Sequence, residues 1–187
     1  MFFLRKYSKK YLPFCLTLFL TLFCVDQLFS QENPIGVFVE TMKINEDTRK
    51  IDRCKYCGKF IKAGTIHSDA ETIIGNQIGE ELDYRNIQYE WGREGDKYLH
   101  VYIYRFEERR GGNFAVEKPA GVGFHVHLIE KGNTKNIFVF DEDQHSLSEN
   151  ILDIGKFLRR GGKWITADVL SREGVEKALN ALEEELR

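Results

Sequence analysis

Two cysteines carry the clearest chemical signal in this 187-residue chain. They lie in the run Asp52-Arg53-Cys54-Lys55-Tyr56-Cys57-Gly58-Lys59. The C-x-x-C spacing suits either two thiolates on one metal ion or a short disulfide. A structural zinc takes four ligands, and only His67 is near in sequence. Cys54, Cys57 and His67 thus form a candidate zinc set that lacks a fourth member. A thioredoxin-like site would need Cys54 at a helix start, but Gly58 follows the pair and the next predicted helix begins only after Ser68. A Cys54–Cys57 disulfide clasping a long loop is the preferred reading, because the N-terminus described below points to an oxidising compartment.

His125 and His127 stand two apart in "GVGFHVHLIE", so on a strand they share one face at about 7 Å. Such a pair can chelate a metal. No further ligand is evident beside it, although His100 or His145 could approach. The alternative places both imidazoles on a partly exposed face.

Other catalytic signatures are missing. There is no G-x-S-x-G elbow and no G-x-x-x-x-G-K-[ST] phosphate loop. Ser68, Ser146 and Ser148 sit where helix caps are expected. Asp141-Glu142-Asp143 match no EF-hand spacing and read as a solvated strand end. Arg159, Arg160 and Trp164 form an aromatic–basic group that could face a protein partner. The chemistry therefore favours a protein that binds over one that catalyses.

The elements that position these residues follow from periodicity. Residues 1–30 show basic Arg5, Lys6, Lys9 and Lys10, then an apolar run, then Leu28-Phe29-Ser30, the order of a secretory signal peptide. Cleavage after Ser30 is expected. An uncleaved anchor, or lipid on Cys24 despite the bulky Phe23 before it, remain as alternatives. Removing residues 1–30 takes four of 27 basic and one of 29 acidic residues, leaving a net charge of −5. No clustered basic patch suggests nucleic acid.

Residues 31–187 then form one α/β domain. Ile35–Glu40 reads as a buried strand, residues 45–67 as a long cysteine-bearing loop, and Ser68-x-x-Glu71 as a capping box opening a helix. Strands follow at Asn86–Trp91, Lys97–Arg109, Gly121–Glu130 and Lys135–Phe140. Two more helices carry the stripes Leu147, Ile151, Ile154, Leu158 and Val175, Leu179, Leu182, Leu186. The sum is a mixed sheet of about five strands, ending in an antiparallel meander and packed with about three helices.

The segments Phe114-Ala115-Val116, Pro119-Ala120-Gly121-Val122, Phe140-Asp141-Glu142-Asp143-Gln144, Leu147-Ser148-Glu149-Asn150 and Arg160-Gly161-Gly162-Lys163-Trp164 carry a further signal. Their pattern, F-D-E-x-Q-x-x-L-S-E-N followed by R-G-x-x-W-x-T-A, resembles a family of uncharacterised bacterial envelope proteins, many of them lipoproteins. Gly121 and Asp143 depart from the family's usual Ser and Thr. At fold level the family is similar to the soluble module of the curli secretion lipoprotein and the N-terminal domain of the Tol translocation protein. The resemblance implies a non-catalytic binding or assembly module, periplasmic or associated with the outer membrane after Sec export. An envelope protein would be its partner, and its N-terminus could associate with the membrane. A metal or thiol protein built on Cys54 and Cys57 is the alternative, with zinc the only cofactor in view.

Overall fold

A computed structural model describes residues 33–43, 53–111, 116–143 and 165–187. Seven strands and two helices are defined among them: β1 (Ile35–Thr41), α1 (Ala70–Tyr84), β2 (Tyr89–Trp91), β3 (Lys97–Glu107), β4 (Arg110–Gly111), β5 (Val116–Lys118), β6 (Gly121–Glu130), β7 (Asn133–Asp143) and α2 (Ala167–Leu186). Five strands make one sheet in the order β2-β1-β3-β6-β7, and β4 pairs with β5 in a separate ribbon. β1 runs parallel to both β2 and β3, whereas β3, β6 and β7 are antiparallel. The mixed sheet with an antiparallel finish is thus the expected one. The third expected helix, over Leu147–Leu158, lies outside the described residues, as do Arg159, Arg160 and Trp164.

Period-2 alternation divides the sheet into two faces. Leu99, Val101 and Ile103 of β3 and Phe124, Val126 and Leu128 of β6 join Ile74, Ile78 and Leu82 of α1 and Leu170, Leu179 and Leu182 of α2 in the main core. At the start of helix α2, Thr166 is the N-cap and accepts a hydrogen bond from the Val169 N–H. The start of α1 differs. Asp69 is the N-cap and its side chain makes no cap bond. Glu71 instead accepts from the Thr41 N–H and hydroxyl, tying α1 to the end of β1.

The opposite face is the one that positions the site. His100, Tyr102 and Tyr104 of β3 lie there beside His125 and His127 of β6. Without a cover, these bulky side chains would meet water. The cover is residues 53–67. Cys54 and Ile61 pack with Met42, Tyr102 and Tyr104 in a second buried cluster, flanked by Cys57, Ala63 and Ile66. Backbone bonds fasten the end of this segment to β3: Gly64 N–H to Tyr104 C=O, Phe106 N–H to Thr65 C=O, and His67 N–H to Phe106 C=O. The long loop is therefore a third layer, laid on the face the helices leave open.

Space for it is made by glycine. A Cβ on Gly123 would lie 2.4 Å from Cε2 of Tyr104, so the tyrosine ring crosses β6 only because that side chain is absent. The register shift between Ile103 and Arg105 brings Arg105 to the same face, where it pairs with Asp141 and Asp143.

Candidate metal centre

The chain from Arg53 to Phe60 folds into a tight knuckle. Arg53 bridges Phe60, the Cys54 N–H donates to Lys59 C=O, and the Gly58 N–H donates back to Cys54 C=O. Gly58 takes φ of +70°, a left-handed turn that suits glycine. The knuckle points both cysteine side chains at β6. The backbone amides of Tyr56 and Cys57 lie on the side of the Cys54 sulfur, where they favour its thiolate.

Each thiol meets an imidazole. Cys54 Sγ lies 3.6 Å from His127 Nε2, and Cys57 Sγ lies 3.5 Å from His125 Nδ1. The four ligand atoms all lie within 4.8 Å of one another. Zinc bonds of about 2.3 Å to sulfur and 2.0–2.1 Å to nitrogen, set at the tetrahedral angle, place S and N about 3.5–3.6 Å apart. The two S···N distances match that edge length. Cys54, His125 and His127 are buried and Cys57 is half-buried.

The structure arranges these residues differently from the sequence expectation. Cys54 and Cys57 stand as free thiols in this structure. The ligands that complete the set are His125 and His127, not His67. The His67 ring stands on the surface beside Asp69, with Nδ1 3.9 Å from the carboxylate, while its backbone pairs with β3. Both histidines are also fully buried, not partly exposed. Cys54 and Cys57 do belong to the cluster, and the histidine pair that fills it was visible as a pair.

Electrostatics prepare these groups as ligands. Burial, then repulsion from His127 and Lys59, lowers the pKa of His125 to about 4. Burial also lowers His127 to about 4, with His100 and Lys59 adding to the effect and the His100 backbone opposing it. Both imidazoles are therefore neutral near pH 7, the form that binds metals. Burial pushes the Cys54 thiol up, against the pull of the two backbone amides. A cation would reverse that effect and hold the thiolate. His125 Nε2 and His127 Nδ1 are buried without a regular hydrogen bond. The His100 backbone influences the His127 ring, but at a geometry that falls short of one.

An outer layer seals the centre. The Tyr56 ring stands edge-on to His100 at 4.3 Å and reaches His127 at 5.8 Å between centroids. The Tyr56 hydroxyl donates to Glu40, which also meets Lys55 at 3.4 Å and His100 Nε2 at 3.2 Å. Burial alone would raise the Glu40 pKa, but the Tyr56 hydrogen bond, Lys55 and His100 together hold it below the usual carboxylate value. Burial lowers the pKa of His100, with Glu40 acting in the opposite direction.

No protein-family model matches the chain, and no curated protein does. Its fold is similar to that of several solved bacterial structures. A PelC dodecamer from Paraburkholderia phytofirmans, carrying a single substitution, aligns at 12% identity with a TM-score of 0.41, covering 79% of this chain and 83% of that one. Protein XCC0632 from Xanthomonas campestris, of family DUF330, aligns at 11% with a TM-score of 0.45, covering 82% and 88%. A minor lipoprotein from Acinetobacter baumannii aligns at 7% with a TM-score of 0.30, covering 76% and 91%. These matches do not extend to the curli and Tol modules or to the sequence pattern noted above.

Proposed function

We propose that this chain is an exported, non-catalytic binding module of the bacterial envelope, and that one structural zinc ion pins its cysteine loop to the sheet. The observation that carries the metal reading is the convergence of Cys54, Cys57, His125 and His127 within 4.8 Å. Two sulfurs and two imidazole nitrogens in a tetrahedral set are zinc's preferred surroundings. Four protein ligands fill the coordination sphere, and a catalytic zinc keeps one position for water or substrate. That favours a structural role.

Two surface clefts among the described residues are in keeping with binding. One of about 490 Å³ is walled by Phe38, Val39, Gly75 and Trp91, and its carboxylate, Glu71, is already committed to Thr41. Neither this cleft nor the one of about 530 Å³ beside Pro34 and Tyr89 brings a nucleophile to a base. The envelope assignment rests on the signal-like N-terminus and the sequence resemblance. A protein partner met through Arg159, Arg160 and Trp164 is part of the same reading.

Native mass spectrometry of residues 31–187 tests the metal. One zinc per chain is expected, and it should be lost in His125→Ala and His127→Ala but kept in His67→Ala. A protein that takes up no zinc after reduction, or that keeps it without His127, would overturn the assignment.

A further inference from the structure

The two cysteines of the centre differ in access. Cys54 is 2% exposed, whereas Cys57 is half-buried. An incoming reagent meets Cys57 first. The two residues are also close enough in the chain for their sulfurs to bond directly. An S–S bond of about 2.05 Å requires both sulfurs to turn toward each other. They would then leave the positions 3.5–3.6 Å from His125 and His127. A disulfide and a metal centre are therefore mutually exclusive states of one site.

We propose that Cys57 is the entry point for thiol–disulfide exchange, by which a small disulfide oxidant expels the zinc ion and frees the knuckle from the sheet. The inference rests on the zinc reading above. The zinc-bound Cys57 thiolate attacks one sulfur of the oxidant RSSR. The oxidant's S–S bond breaks, RS⁻ leaves, and a Cys57–SR mixed disulfide forms. The Cys54 thiolate then attacks Cys57 Sγ, the bond to SR breaks, and a second RS⁻ leaves as the Cys54–Cys57 bond forms. Two electrons pass from the protein sulfurs to the oxidant, and the two RS⁻ take protons from water according to their pKa. The metal keeps only His125 and His127 and departs as hydrated Zn²⁺, because two neutral imidazoles without thiolates hold zinc weakly.

The structural consequence is confined to part of the loop. Gly64, Thr65 and His67 stay bonded to the backbone of Tyr104 and Phe106. The knuckle, by contrast, makes its backbone bonds internally and is tied to the sheet by side chains, Tyr56 and Lys55 at Glu40 and Lys62 at Asp143. Oxidation should therefore loosen Arg53–Lys62 while the rest of the domain holds. That stretch carries Arg53, Lys55, Lys59 and Lys62, four trypsin sites.

The experiment treats zinc-loaded residues 31–187 with oxidised glutathione. Zinc release is followed with a colorimetric chelator, intact mass by spectrometry and loop opening by brief trypsin digestion. Loss of one zinc per chain should accompany loss of the mass of two hydrogens, with new cleavage at Lys55 and Lys59. Dithiothreitol with zinc should restore the starting state. Cys54→Ser should trap one glutathionyl group on Cys57. Should that variant not fold, acid quenching of the parent at early times and peptide mapping locate the first mixed disulfide. Its appearance on Cys54 would overturn the entry assignment. A zinc protein that keeps its metal through oxidation, or keeps both thiols intact, overturns the switch alone. A chain that carries no zinc from the start overturns the zinc reading and the switch with it.

Discussion

Gly123→Ala is a sharp test of how the loop-bearing face is built. The added Cβ would stand 2.4 Å from Cε2, 2.9 Å from Cζ and 3.1 Å from Cδ2 of Tyr104. Tyr104 is fully buried and cannot swing into solvent. Restoring ordinary contact moves the ring by about 1 Å, into the cluster it forms with Met42, Cys54 and Ile61. Overpacking of this kind costs about 1–3 kcal/mol. The tyrosine hydroxyl also bonds to Phe140 C=O and Asp141 Oδ2, each at 3.2 Å, and would lose at least one of these, for about 1 kcal/mol more. Better strand propensity returns roughly 0.5–1 kcal/mol. The net expectation is a loss of about 1–3.5 kcal/mol, read from urea unfolding of the zinc-loaded protein. A double-mutant cycle isolates the cause. Tyr104→Ala alone should cost about 3–5 kcal/mol. Adding Gly123→Ala to it should cost nothing further, because the clashing ring is gone. A single Gly123→Ala variant within 0.5 kcal/mol of the parent, or two substitutions that simply add, would refute the argument.

Two more outcomes follow from buried charge. In the chelated, reduced protein, the pKa values of His125 and His127 fall from 6.5 to about 4 on folding, so between those values the unfolded chain binds more protons. Stability should therefore be full above pH 6.5 and be lost as pH falls toward 4, by up to roughly 3 kcal/mol per histidine; a urea midpoint flat from pH 7 to 4.5 would contradict this. Arg105, 3% exposed, pairs with Asp141 and Asp143 on the same face. Arg105→Ala leaves two carboxylates without their buried partner and should cost about 3–5 kcal/mol by thermal or urea unfolding, whereas a cost below 1 kcal/mol would mean that water already screens the pair.

Strand and helix periodicity made most of the fold legible in advance. β3 and β6 alternate cleanly, and α2 carries its cap and apolar stripe in the open. The start of α1 was misread because Glu71, which a capping box would turn back on its own helix, finds a better partner in Thr41 thirty residues upstream. The metal centre was legible only in halves. C-x-x-C and H-x-H each have ligand spacing, but neither says that the knuckle lies across β6. His67 was attractive because it is near in sequence, yet its backbone is needed by β3. One local signal did point to a covering layer. Both faces of β3 are bulky, and the alternate residues Gly121, Gly123, His125 and His127 put small and polar groups on one face of β6. Such a face needs something laid over it. Only loop placement, a long-range property, identifies the cover.

The separation between the two halves of the centre also sets a schedule. Cys57 and His125 are 68 residues apart, and Cys54 and His127 are 73 apart. At roughly 5–20 residues per second, synthesis delivers the histidines about 3–15 seconds after the cysteines. During that interval the thiols lack the two imidazoles that face them in the folded domain, since β6 has yet to be made. The ligand set is thus completed by a race between the growing chain and whatever the thiols encounter first. The lag is fixed by the spacing of the ligands along the chain, independently of how tightly the finished site holds its ion.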